Sequence, residues 1–236
     1  MCLITLSVLG LLACASTPPG NNDNRSSIDP YEGFNRAIFA FNNGLDTYFM
    51  KPIAQGYRYV TPNFVETGVS NFFSNLLEVR NVFNAGLQGK GHKVLHYTGR
   101  FLINSTFGIL GLFDIAHPMG LEKTEGEDFG QTLATWGIGS GPYVVLPFLG
   151  PSTIRDSIGI PVDAYVDPIN YLDHVRTRNS LTAGELVDKR VSLLDAEELI
   201  SGDSYIFIRD AYLQRRNYLV EDGQVDDSFG ESLEDF

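Results

Sequence analysis

The stretch that decides the fold is residues 29–50, DPYEGFNRAIFAFNNGLDTYFM. Asp29 stands where an N-cap belongs, Pro30 follows at the first turn, and Glu32 comes three residues after the cap. Phe34, Ile38, Phe41, Leu45 and Tyr48 then recur at spacings of four, three, four and three, which is one face of a helix. Phe39 and Phe49 widen that face, while Asn35, Arg36, Asn42, Asn43 and Asp46 take other positions. Pro52 is expected to end the helix.

Outward from this helix the pattern repeats. Thr61-Pro62 opens a second helix with a stripe of Val65, Val69, Phe72 and Leu76. A further stripe of Val79, Val82, Phe83 and Leu87 runs to Gly89. Another helix is expected from about His92 to about Asn104. Asn179–Ile200 and Asp203–Val220 also carry helical spacing. No alternating strand series is visible, so the body is predicted to be mainly α with little or no β.

Two uncharged segments need separate treatment. Phe101–Phe113 (FLINSTFGILGLF) is too short to span a bilayer. It reads as a buried core helix or as a helix lying at a membrane interface. Phe129–Ile154 is longer, but Gly137, Gly139, Gly141, Pro142, Pro147, Gly150 and Pro151 break any long helix. A short helix to Trp136, a glycine turn and an extended YVVLPFL run fit better.

The chain has 236 residues and a net charge of −12. That argues against nucleic-acid binding, which needs clustered Lys and Arg. Seven acids and no base fall in the last sixteen residues, so residues 221–236 read as an acidic disordered tail and the rest is left at −5. Both cysteines, Cys2 and Cys14, lie at the start. The body therefore has no disulfide, cysteine zinc site or thiol nucleophile.

Residues 1–13 read as a signal peptide, with an apolar run too short to cross a membrane. Leu11-Leu12-Ala13-Cys14 resembles the lipobox of bacterial lipoproteins, in which the cysteine is lipidated. The other reading is an ordinary signal peptide that contains a cysteine. No Lys or Arg precedes the run, so either translation starts upstream or the terminal amine supplies the positive charge. Residues 14–28 then form the lipidated cysteine and a flexible tether. Ala15 after the cysteine favours the outer membrane by resemblance to bacterial sorting rules.

Catalytic and cofactor motifs are sparse. There is no G-x-S-x-G elbow, Walker loop or dinucleotide fingerprint. His92 and His96 stand four apart, but Lys-Val-Leu between them lacks the glutamate of the protease motif, and a solvated helix is the simpler reading. Glu127-Asp128 reads as the acidic start of a helix, and Arg155-Asp156 as an ion pair or cap. No cofactor or metal is expected, and no catalytic motif is found.

A set of ordered motifs then identifies a family. Asp29-Pro-x-Glu32-Gly33-Phe34-Asn35-Arg36, Phe41-Asn42 and Leu45-Asp46 resemble the opening of the MlaA (VacJ) lipoproteins. Asn71-Phe72, Leu87-Gln88-Gly89, Arg100-Phe101, Asn104, Thr106, Gly108, Gly111 and Asp114 continue the match. Asp128-Phe129-Gly130-Gln131-Thr132-Leu133, Trp136-Gly137, Gly141-Pro142-Tyr143, Leu146-Pro147, Gly150-Pro151-Ser152 and Arg155-Asp156 follow, and Arg209-x-Ala211-Tyr212 closes it. The likeness spans residues 29–220.

The resemblance implies a ring-like, doughnut-shaped bundle of amphipathic helices in the membrane interface around a central channel. It implies a lipoprotein on the periplasmic side of the outer membrane, associated with trimeric porins. Such a protein removes mislocalised phospholipid from the outer leaflet and hands it to a periplasmic carrier, MlaC. In a ring of this kind Phe101–Phe113 is expected to face lipid. Arg36, Asn42, Asp46, Asn104, Asp114 and Arg155 are polar positions in apolar or uncharged stretches, hence either channel-wall residues or internal staples. An envelope scaffold without transport activity, or a phospholipid hydrolase, is the alternative function.

Overall fold

A computed structural model describes residues 28–223. The signal peptide (1–13), Cys14, nearly all of the tether and the tail beyond Gly223 lie outside the described residues. The chain is mainly α, as expected. Helix α1 spans Glu32–Leu45, and a wide π-turn, Asp46–Met50, joins it without a break to α2, Lys51–Val60. Two expectations about this run fail. Asp29 does not cap α1, whose first residue follows Tyr31 without a side-chain cap. Pro52 does not end the helix, because the Lys51 N–H bonds five residues back to Asp46 and the proline sits at the start of α2, where a missing N–H costs least.

Helix α3, Asn63–Leu87, begins after Pro62 as the sequence predicts and runs for 25 residues, about 37 Å. A tight reversal at Gly89 (φ +74°) leads into α4, Gly91–Thr106, which packs along α3. Asp128 caps α5, Phe129–Thr135, by accepting the Gln131 N–H at 2.9 Å. The extended run becomes β1, Tyr143–Leu146, paired antiparallel with β2, Gly150–Thr153, with Tyr143 opposite Thr153.

Helix α6, Ile154–Val166, was not foreseen; Thr153 caps it by accepting the Asp156 N–H. Helices α7, Val175–Ser192, and α8, Ser204–Val220, complete the body and are capped by His174 and Asp203. The body extends past the predicted start of the tail at 221: Asp222 takes ion pairs from Lys90 and Lys93. Among the described residues no helix is long and apolar enough to cross a membrane.

A small aromatic core of Tyr143, Val145 and Tyr205 joins the hairpin to α8, with Ile38 and Phe39 of α1 against it. Elsewhere the burial is inverted. Among the described residues eleven hydrophobic side chains are buried, against eighteen polar or charged ones. On α1 the buried residue is Asn35, while Phe34, Phe41, Tyr48 and Phe49 of the aromatic face are exposed. On α3 the buried set is Phe73, Asn75, Glu78, Asn81, Asn84 and Ala85.

The chain after α4 shows the same inversion. α4 ends at Thr106, and residues 107–113 form tight turns rather than a helix. Phe107 is 71% exposed, Ile109 60% and Leu110 67%, so the segment is not a buried core helix. Ile109 and Leu110 hold positive φ values of 53° and 58°, a strained backbone for such side chains.

Candidate functional site

The buried polar groups form four hydrogen-bonded clusters rather than a scatter. The first joins α3, α4 and the chain after it. Arg100 donates to Glu78 at 2.9 Å and to Asp114 at 3.0 Å. Asn104 donates to Asp114 at 2.9 Å and accepts the Ala116 N–H at 2.9 Å. Burial works against the Asp114 carboxylate, yet Arg100 and Asn104 bring its pKa below the usual range.

The second cluster ties α5, α6 and α8. Arg216 holds Asp128 at 2.6 Å and Asp156 at 2.9 Å, and Arg155 meets Asp156 at 2.9 Å. Burial alone would raise Asp128, but the Arg216 guanidinium outweighs it and holds the carboxyl at about 2. The Tyr212 hydroxyl donates to Asp156 at 2.8 Å, and burial beside that carboxylate pushes its pKa up. Glycine is required here, since a Cβ on Gly130 would stand 2.5 Å from Asp156 Oδ1 and one on Gly159 2.8 Å from the Gly130 nitrogen.

The third centres on Asp29, which accepts from Asn35 at 2.8 Å and from the Tyr205 hydroxyl. Asn35 in turn accepts the Val145 N–H at 2.9 Å, joining α1 to the hairpin. In the fourth, Glu127 is gripped by Lys93 at 2.5 Å and Gln88 at 2.9 Å. Burial lowers the Lys93 ammonium, but its bonds to Asp222 and Glu127 carry it to about 12.

Each of the six predicted polar positions has protein partners. Arg36 pairs with Glu32 at 2.7 Å and Asp203 at 2.9 Å and lies over the Tyr205 ring. Asn42 donates to the Leu146 carbonyl at 2.9 Å and accepts the Phe148 N–H at 2.8 Å. Asp46 takes both Arg190 donors, at 2.6 and 2.8 Å, across to α7. Asn104 and Asp114 share the first cluster, and Arg155 belongs to the second. Three of the six thus lie in the first two clusters, while Arg36, Asn42 and Asp46 bond elsewhere, and the six are not gathered in one place.

Glu78, Arg100, Asp128 and Arg216 belong to these clusters and were missed as site residues, as were Asn81, which donates to Glu78 at 2.9 Å, and Asn84, which donates to Asp163 at 2.9 Å. For Glu78, Asn81 and Asn84 the signal was a three-residue spacing, begun at Asn75, that puts them on one side of α3. His96 bonds the Glu122 carbonyl at 2.9 Å, and among the described residues no group of three or more metal-binding side chains converges.

The outer surface is the complement of these clusters. Phe41 packs edge-on against Phe148 at the hairpin tip, with ring centroids 5.4 Å apart, so the aromatic faces of α1 and the hairpin are continuous. The apolar turns after α4 lie against α3, where Asn71 donates to the Leu112 carbonyl at 3.4 Å. Internal polar networks under many exposed aromatic and aliphatic side chains suit a body whose surroundings are partly hydrocarbon.

Comparison with known proteins agrees with this picture. A family model described as MlaA lipoprotein matches residues 27–219. The Escherichia coli (strain K12) intermembrane phospholipid transport system lipoprotein MlaA is 36% identical over 228 residues, covering 94% of this chain and 89% of that protein. Its Haemophilus influenzae counterpart is 33% identical, covering 98% and 93%. A chain solved in work on the structural basis for maintenance of bacterial outer membrane lipid asymmetry superposes with a TM-score of 0.72. It is 38% identical and covers 81% of this chain and 98% of its own.

Proposed function

The chain belongs to the MlaA lipoprotein family, and from that premise we propose that it is an envelope lipoprotein of intermembrane phospholipid transport that maintains outer-membrane lipid asymmetry. Anchored through Cys14 and tethered by residues 15–28, the domain 29–220 sits in the periplasmic leaflet of the outer membrane beside a trimeric porin. It takes stray phospholipids from the outer leaflet through an amphipathic channel and delivers them to the periplasmic carrier MlaC. The role is transport, with no covalent chemistry.

The observation that carries this reading is the inverted burial: aromatic faces outward and ionic clusters inward. A two-chain lipid exposes about 28 methylenes in water, which at about 0.8 kcal/mol each is roughly 20 kcal/mol. A protein that moves such a lipid must keep hydrocarbon against hydrocarbon while offering the headgroup polar partners. Arg36, Asn42, Asp46, Asn104, Asp114 and Arg155 hold the channel wall in shape through the bonds described above.

The test is the phospholipid content of the outer leaflet in cells that lack the protein. It is compared after complementation with wild type or with Cys14→Ser. Accumulation cured by wild type and not by the unanchored variant is expected. Unchanged outer-leaflet lipid in the deletion, with no paralogue present, would sink the transport reading and leave a scaffold.

A further inference from the structure

A cavity of about 230 Å³ lies where α3, α6, α7 and the turn after α6 meet. Its lining includes Arg80 from α3, Asp163 from α6, Asp167 just beyond it, Glu185 and Lys189 from α7, and the apolar side chain of Leu76. Arg80 stands apart from the arginines of the four clusters. No ion pair holds it among the described residues, and its Nε is shielded from solvent without a hydrogen-bond partner; the Arg216 Nε also lacks a hydrogen bond but stands 2.9 Å from the Asp156 carboxylate. Arg100, Arg155, Arg209 and Arg216 are all ion-paired.

Two of the three neighbouring carboxylates are only partly engaged. Both Asp163 oxygens are occupied by the Phe129 N–H, at 3.0 and 3.1 Å, and Oδ1 also accepts from Asn84. Asp167 uses Oδ1 for the Ile169 N–H at 2.9 Å, and Glu185 uses Oε1 for the Lys189 ammonium at 2.6 Å. Asp167 and Glu185 each keep a second oxygen without a hydrogen bond among the described residues. A guanidinium with a free buried donor calls for an acceptor with fixed oxygens, and phosphate is the natural match. Three carboxylates against two cations make the lining net acidic, which opposes a ligand of net negative charge.

We propose that this cavity is a subsite for a zwitterionic phosphodiester headgroup bearing a primary amine, as in a phosphoethanolamine lipid. The proposal rests on the transport reading and adds a headgroup preference to it. Arg80 binds the phosphate oxygens. The spare oxygens of Asp167 and Glu185 accept from the ammonium, and Leu76 borders the start of the chains. A headgroup of phosphate and neutral glycerol satisfies Arg80 but brings an uncompensated negative charge among carboxylates.

Calorimetric titration of the solubilised full-length protein tests this. The probes are short-chain phosphatidylethanolamine, short-chain phosphatidylglycerol, free phosphoethanolamine and inorganic phosphate. Wild type is expected to prefer the ethanolamine lipid by about tenfold over the glycerol lipid, the scale of one charged contact. Arg80→Gln should weaken both lipids, with Arg80→Lys restoring part of the affinity. Asp167→Asn keeps an acceptor for the Ile169 N–H and should remove the preference while leaving glycerol-lipid binding intact or improved.

Equal affinity of wild type for the two lipids, or of wild type and Arg80→Gln for the ethanolamine lipid, overturns the subsite. Free phosphoethanolamine or phosphate binding as well as the lipid overturns the lipid assignment in favour of a soluble phosphate compound. If the deletion strain accumulates outer-leaflet phospholipid and Arg80→Gln clears every headgroup like wild type, the subsite fails alone and the transport reading stands.

Discussion

The junction of α5, α6 and α8 and the turns after α4 are opposites in composition and in place. The first buries Arg155, Asp156 and Arg216 where a water-soluble domain would put leucine and valine. The second exposes Phe107, Ile109, Leu110 and Phe113 where such a domain would put serine and asparagine. Charge inside is tolerable because every buried ion there has a partner at hydrogen-bond distance. Apolar side chains outside, on a backbone held in a strained conformation, make sense when their surroundings are apolar too. The buried interior of this body is therefore held by polar networks as much as by a hydrocarbon core, and the transport reading gives the exposed aromatics their use.

The largest break in this comparison comes from removing a partner at the junction. Arg216→Met leaves Asp128 and Asp156 without their shared cation and is expected to cost about 3–5 kcal/mol in denaturant unfolding. A loss below about 1 kcal/mol would show that water already screens the cluster.

Acid titrates the same cluster. Asp128 is depressed to about 2 in the folded protein, so its contribution is fully present above the unfolded carboxyl pKa near 3.9 and is lost as pH falls from about 5 towards 2. The shift corresponds to about 2 kcal/mol. Thermal melts across that range should show wild type losing stability more steeply than Asp128→Asn, and parallel curves would remove Asp128 as the cause.

Steric tests reach the boundary between the two regions. Gly111 has φ +94°, and a Cβ there would stand 2.5 Å from the Asn75 Cβ. Gly111→Ala should cost about 2 kcal/mol, part from the left-handed backbone and part from displacing α3 contacts. The expected readout is a lower denaturation midpoint with an unchanged slope.

Ile109→Gly should act in the opposite sense on stability and function. It relieves a positive φ and is expected to raise stability by about 1 kcal/mol in solution. It also removes an exposed apolar side chain and should weaken partition into phospholipid vesicles. Smallest is Phe107→Gln, expected within about 0.5 kcal/mol of wild type in unfolding but weaker in vesicle binding. A large loss of stability from Phe107→Gln would mean that the ring is packed after all, and the two regions would no longer be opposites.

Much of this was legible in the chain. Proline and cap signals placed the start of α3 and α5, and glycine and proline punctuation broke residues 129–154 into a short helix, a turn and an extended run; that the run pairs as a hairpin came only from the structure. The motif order from Asp29 to Tyr212 identified the family. Local rules misled at residues 29–60, where Asp29 matched a cap yet was drawn inward by Asn35, Tyr205 and Arg209. The cap rule sees four residues in sequence, whereas those partners lie up to 180 residues away. Pro52 was misjudged for a related reason, since the wide turn that admits it is a property of the preceding backbone.

What the sequence determined by itself was helical class, segment order, the lipoprotein-like start and family membership, because these depend on spacing and order along the chain. It could mark Arg36, Asn42, Asp46, Asn104, Asp114 and Arg155 as polar groups in apolar stretches. Only the tertiary structure decided what each of them meets, which face of each helix is inward, and that Arg80 stands beside a cavity with a free donor. The reason is physical: periodicity shows that a helix has two faces, but which face is buried depends on partners from distant segments and on the medium outside.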